Sequence, residues 1–160
     1  MSTAQPPAFR GPWSPDEVAE FLRSSVIPVR LGVDAGPGGP LVLSVWFLPD
    51  GTDLVGATRP TSTLVRCLGR RPECGFEVAA DAPPYCGVRG RARVELDRTA
   101  GAATLDRLLV RYLGGVDSPI GVRLRARAHD EVCFRLRPVS LISWDYRDRM
   151  SAGAAVTGGR

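Results

Sequence analysis

Residues 58–72, TRPTSTLVRCLGRRP, carry the densest chemistry in the chain. A threonine-serine loop runs directly into a segment whose spacing predicts a short helix from about Thr63 to Arg71, stopped by Pro72. Hydroxyls and main-chain N–H groups at a helix start suit an anion, because the unpaired amides and the helix dipole point at it. Thr58, Arg59, Ser62, Thr63 and Arg66 are therefore the candidate binding residues. Ser62 equally fits a plain helix N-cap, and the two roles can coexist. The arginines at 70 and 71 sit where a helix end favours cations anyway.

The rest of the composition narrows the chemistry. The basic side chains are all arginine, with no lysine, and this excludes both Schiff-base chemistry and a P-loop. The cysteines (67, 74, 86 and 133) form no C-x-x-C pair, and His129 is the single histidine. A zinc site or a Cys–His nucleophile pair is not expected, and the thiols read as reduced and mostly buried. A net charge of +4 suits a phosphorylated small molecule but is too weak to indicate nucleic acid. Arginine alternates along 89–93 and recurs at 135 and 137, yet Glu95, Asp97, Asp130 and Glu131 interrupt the rows. No aromatic is interleaved as a stacking platform, so a solvated sheet face is expected and nucleic acid is not. No run is apolar enough to span a bilayer, and the first residues show no signal-peptide pattern. The expectation is a cytoplasmic protein without a membrane partner.

The elements that must position the 58–72 stretch are mainly strands. Ser14-Pro15-Asp16-Glu17 is a capping box, followed by an apolar face of Val18, Phe21 and Leu22, which predicts a helix ending near Ser25. Strands are expected at 26–33, at 41–51 with the turn Pro49-Asp50-Gly51, and at 52–58 as its hairpin partner. A second hairpin is expected from 74–80 and 85–96. Leu105, Leu108, Leu109 and Tyr112 mark a helix closed at Gly114-Gly115. Residues 118–128 carry both helix and strand signals, and Ser118-Pro119 tips them to helix. A last alternating strand covers 131–145, bent at Pro138, and the tail from 148 to 160 is too polar and small to bury itself. The pattern is one mainly β (α+β) domain over 14–147, with flexible ends at 1–13 and 148–160.

The order of these parts resembles the FMN-binding split β-barrel superfamily, the pyridoxamine 5′-phosphate oxidase-like proteins and their deazaflavin (F420)-using relatives. PLVLSVWFLPDG resembles the strand and turn beneath the flavin ring, and ATRPTSTLVRCLGRRP the phosphate element T-x-x-x-S-x-K-x-x-x-L-x-x-x-P. VRGRARV is similar to the following strand, and LLVRYLGG and RLRPVSLISWD to the late helix and closing strand. The resemblance implies a six-stranded antiparallel split barrel with a few short flanking helices. It implies a homodimer with cofactor at the subunit interface, and an FMN- or F420-dependent oxidoreductase acting on a small-molecule substrate. The alternative is a split barrel that binds or sequesters its cofactor without turnover.

The same resemblance adds site residues. Val45 and Trp46 lie on the strand expected to pass the ring, and Trp144 at a position able to reach the partner's site. The chain departs from the pattern at the basic pair, where Thr63 and Leu64 stand. Either Arg59 or Arg66 then takes the place of the lysine, with a bidentate rather than point-charge geometry, or the site is weakened and the protein is not a working oxidase. No catalytic acid or base is evident.

Overall fold

The computed structural model describes residues 6–154. Eight strands form one sheet: β1 Ala8–Arg10, β2 Val29–Asp34, β3 Pro40–Val45, β4 Leu48–Asp50, β5 Asp53–Thr58, β6 Glu73–Ala79, β7 Cys86–Asp97 and β8 Val132–Asp145. Five α-helices accompany them: α1 Pro15–Ser24, α2 Thr63–Arg70, α3 Gly101–Leu113, α4 Pro119–Arg125 and α5 Arg147–Ala154. The six strands read from sequence are all present. One of them divides into β3 and β4, and β1 is added at the N-terminus.

That division makes the barrel. The strand order is β3-β2-β6-β7-β8-β5-β4, antiparallel throughout, so β3 and β4 occupy opposite edges. Yet β3 and β4 are joined only by Trp46 and Phe47. One bent strand therefore pairs with β2 by its first half and with β5 by its second, which curls the sheet into a split barrel.

The barrel interior is filled by inward residues of successive strands, among them Leu31, Phe76, Val88, Phe134 and Leu141. Val18 and Leu22 of α1 and Leu64, Cys67 and Leu68 of α2 join the same buried cluster. The capping box on α1 is complete: Ser14 Oγ accepts from Glu17 N, and Glu17 Oε2 accepts from Ser14 N at 2.7 Å. The ambiguous 118–128 segment resolves as α4, with Ser118 Oγ capping Gly121 N at 3.0 Å. A second, smaller cluster lies on the outside of the barrel, where α3 sets Leu108 and Tyr112 against Trp46, Leu48, Val55 and Cys133.

Strand β8 changes partner along its length. It pairs with β5 over Val132–Leu136 and with β1, in parallel, over Ser140–Ile142. Its register with β7 slips at Pro138–Val139, a bulge that falls between the two partners and bears out the expected bend.

Both ends of the chain differ from the flexible segments expected at 1–13 and 148–160. From Ala8 the N-terminus docks on β8, because Trp13 N–H donates to Ser143 Oγ at 3.0 Å and its indole Nε1–H to Asp145 Oδ2 at 3.2 Å. The first part of the tail is α5, started by Arg147 N–H donating to Asp145 Oδ1 at 2.9 Å. The N-terminal segment is held by partners 130 residues or more away, which a local reading of composition cannot register, whereas α5 starts on a carboxylate two residues before it. Residues 1–5 and 155–160 lie outside the described residues.

Candidate functional site

The site is built around the point where the split strand leaves β5. Strand β4 pairs with β5 as far as Leu48↔Val55, whereas β3 pairs with β2 from Val45↔Val29 onward. Over Trp46 and Phe47 the chain swings from one neighbour to the other, just as β5 runs on to its end at Thr58. A wedge opens between the free edge of β3 and the end of β5, and the 59–62 loop and α2 follow directly from it.

A hydroxyl holds the pivot in place. Phe47 N–H donates to Tyr112 Oη at 3.3 Å, and Tyr112 O–H donates to Ile27 O at 3.1 Å. The Tyr112 ring stacks on Trp46 with centroids 4.9 Å apart and planes 7° apart. Burial raises the Tyr112 hydroxyl above its ordinary pKa, which keeps it a neutral donor. Gly56 lets the strands approach here, since a Cβ would stand 2.7 Å from Trp46 O and 2.2 Å from the Phe134 ring. Arg111 braces the other side: its guanidinium lies over Phe47 and Tyr112 and donates to the carbonyls of Leu22, Arg23 and Ser25. Those donations cap the C-terminus of α1.

At the start of α2, Ser62 is the N-cap, its Oγ accepting from Val65 N at 3.2 Å. Arg66 N–H donates to Ser62 O at 3.2 Å, which leaves the amides of Thr63 and Leu64 without a helical partner. Arg66 is exposed and folds back over this end, with Nη2 donating to Thr63 Oγ1 at 3.1 Å. Leu64, the residue in the lysine position, is 2 % exposed and packs in the barrel core. A lysine there would have to bury its ammonium, which this core does not favour.

Arg59 has a different neighbour. Thr58 pairs with Val132, which sets Arg59 across from Glu131 at the entry to β8. Glu131 is a buried carboxylic acid with no ion pair among the described residues. Burial pushes its pKa up, while the charge on Arg59 pulls it back down. In the sequence Glu131 stands only as a break in the arginine rows and Tyr112 only as part of a helix face. Their roles come from register and packing, and no local motif marks them.

The structure thus brings Thr58, Arg59, Ser62, Thr63 and Arg66 into one loop and helix start, with Trp46 alongside β5 and Val45 one residue behind it. The Trp46 indole is committed to Tyr112 beneath α3, and Val45 packs against the barrel core. Trp144 is separated from this group. It pairs with Gly87 near the far end of β8, twelve residues from Val132, which is about 40 Å of extended chain. Its indole Nε1 is buried without a partner.

Of the strand arginines, 135 and 137 are neutralised by Asp50, Asp53 and Glu95, at 2.7 Å for Arg135–Asp50 and for Arg137–Glu95. Arg89, Arg91 and Arg93 are exposed on the outer face, as the alternation implied. Burial pushes the Cys74 thiol up to about 12, so it is inert at neutral pH.

Comparison with solved structures places this architecture. A conserved hypothetical protein from Mycobacterium tuberculosis, Rv2991, superposes with a TM-score of 0.71 at 23% identity, over 87% of this chain and 89% of that one. An F420 reductase superposes at 0.65 with 24% identity, over 76% and 94%. A candidate pyridoxamine 5′-phosphate oxidase from Listeria innocua follows at 0.60 with 16% identity, over 79% and 94%. The chain has the pyridoxamine 5′-phosphate oxidase-like split-barrel fold. This split barrel also occurs in HutZ, the haem storage protein of Vibrio cholerae, at a TM-score of 0.58 and 17% identity over 77% and 88%. No protein-family profile matches the sequence, and no curated protein matches it. Among the described residues, no helix of this split barrel is long and apolar enough to cross a membrane.

Proposed function

We propose that the chain binds a flavin or deazaflavin, FMN before F420, with the cofactor phosphate at the start of α2 and the ring along the wedge beside Val45 and Trp46, and that it works as an oxidoreductase. The observation that carries this reading is the Arg66 guanidinium folded onto Thr63 beside two unpaired helix amides. The donor set fits a phosphate monoester: hydroxyls from Thr58, Ser62 and Thr63, the amides of Thr63 and Leu64, and one arginine free of carboxylates. Of the two arginines, Arg66 takes the lysine's place, because Arg59 stands in the field of Glu131.

When bound, the ring supplies the electron or hydride chemistry. The chain's own contribution is to bind and orient. Tyr112 and Gly56 fix the angle at which the β3 edge leaves β5, and the start of α2 holds the anion. The length of β8 between them suits Trp144 joining this site from a second copy of the chain, and the proposed assembly is a homodimer with two cofactor sites.

The second reading is cofactor binding without turnover. Hydroxyls and guanidinium groups are not general acids or bases near neutral pH, and the haem storage protein shows the fold can serve as a carrier.

Titration of the purified protein with FMN and with F420, followed by absorbance, tests the binding, and sedimentation of the loaded protein reads the dimer. Replacing Ser62→Ala together with Arg66→Ala is expected to weaken binding at least about tenfold, or about 1.4 kcal/mol. Unchanged affinity removes this stretch from the site. Reduction of the bound ring followed by its reoxidation by substrate separates the enzyme from the carrier.

A further inference from the structure

The outside of the barrel carries a wide, open cavity of about 680 Å³ that the cofactor reading does not use. It lies between β4, the C-terminal half of α3, and the segments around Val26 and Val116. Its size is in the range of small-molecule sites, roughly 300–1,000 Å³. The walls are apolar: Val26, Leu48, Pro49, Val110 and Val116. Val26 and Val110 are 50% and 56% exposed, so this apolar wall is presented to solvent.

The charged lining is one-sided. Asp106 is neutralised by Arg125, whose Nε lies 2.8 Å from Oδ1. Arg107, on the same wall, forms no ion pair among the described residues. Arg111 directs its two Nη groups at the carbonyls of Leu22, Arg23 and Ser25, and its buried Nε has no partner. Two arginines that form no ion pair among the described residues therefore border an apolar hollow. A cationic ligand would be repelled, and a purely apolar one would leave the Arg107 guanidinium without a counter-charge.

We propose that this cavity binds a small amphipathic carboxylate, with its apolar body against Val26, Leu48, Val110 and Val116 and its carboxylate on Arg107. Arg111 contributes its positive field from behind the wall, since its own donors are engaged or buried. The ligand bridges β4 to α3, two elements that otherwise meet across the Tyr112 pivot.

Decanoate is the probe, titrated into the isotopically labelled, cofactor-free protein and followed by amide chemical shifts. Shifts confined to Val26, Leu48, Asp106, Arg107, Val110, Arg111 and Val116 are expected. Arg107→Gln should weaken the binding about tenfold, and Val110→Glu should abolish it by placing a carboxylate on the wall. Both positions face solvent, and matching melting temperatures verify that the variants are folded. Decylammonium, with the same tail and opposite charge, should bind at least tenfold more weakly. Absent or scattered shifts, equal binding by both variants, or equal binding of decylammonium each overturn the proposal. The assay contains no flavin or deazaflavin, so its failure leaves the cofactor reading standing.

Discussion

Replacing Tyr112→Phe tests whether one hydroxyl holds the pivot of the split strand. The ring and its stacking on Trp46 remain, and only the oxygen is lost. That oxygen accepts from Phe47 N–H at 3.3 Å and donates to Ile27 O at 3.1 Å. Phe47 is fully buried, so its amide finds no water when the hydroxyl is gone. Ile27 is half-buried, and its carbonyl can be rehydrated in part. An unsatisfied buried donor costs about 1–3 kcal/mol, so the expected loss is about 2 kcal/mol. For a chain of this size that corresponds to a fall of about 4–8 °C in melting temperature. Thermal unfolding followed by circular dichroism reads the change. Cofactor affinity should fall in the same variant, because the pivot sets the angle between β3 and β5. A melting temperature within about 1 °C of the parent would show that packing alone positions Phe47, and the argument would fail.

Two glycines should respond in opposite directions. Gly56→Ala forces a methyl to within 2.2 Å of the Phe134 ring and 2.7 Å of Trp46 O, so it should unfold or severely destabilise the barrel. Gly69→Ala, on α2 with nothing within 4 Å of the added methyl, should stabilise by about 0.5–1 kcal/mol in a denaturant titration. At the N-terminal clasp, hydrogen bonding from Arg147 holds the Asp145 carboxyl at about 2, below its ordinary 3.8, with the Trp13 indole assisting. A depressed folded-state pKa means the stabilisation is present above 3.8 and is lost as pH falls toward 2. Asp145→Asn should therefore lower stability at neutral pH and flatten that acid limb. An unchanged acid limb in the variant would assign the acid sensitivity to other carboxylates.

Much of this architecture is legible locally because its signals are short-range. The capping box on α1, Ser62 before α2, Gly114 after α3 and the alternation along β7 each act over a few residues, and each stands in the structure where the pattern placed it. The 41–51 run was legible as a strand but not as two. Its division at Trp46–Phe47 depends on β2 and β5 competing for the same chain, and on a hydroxyl 65 residues away. The docking of β1 was likewise hidden, because Ser143 and Asp145, far along the chain, supply the bonds that hold Trp13 beside it.

The candidate site divides along the same line. From residue types alone follow the hydroxyls of the 58–63 loop and the absence of lysine, and the family resemblance adds the choice between Arg59 and Arg66 as its replacement. Tertiary structure distinguishes their surroundings, by burying Glu131 beside Arg59 and folding Arg66 onto Thr63 at the Ser62-capped start of α2. It also explained Leu64, which serves the barrel core rather than the anion. Residue chemistry is a local property and can be read along the chain. Which charges meet, and which strand edge stays open beside them, is set by pairings between residues far apart in sequence, and these exist only once the sheet has closed.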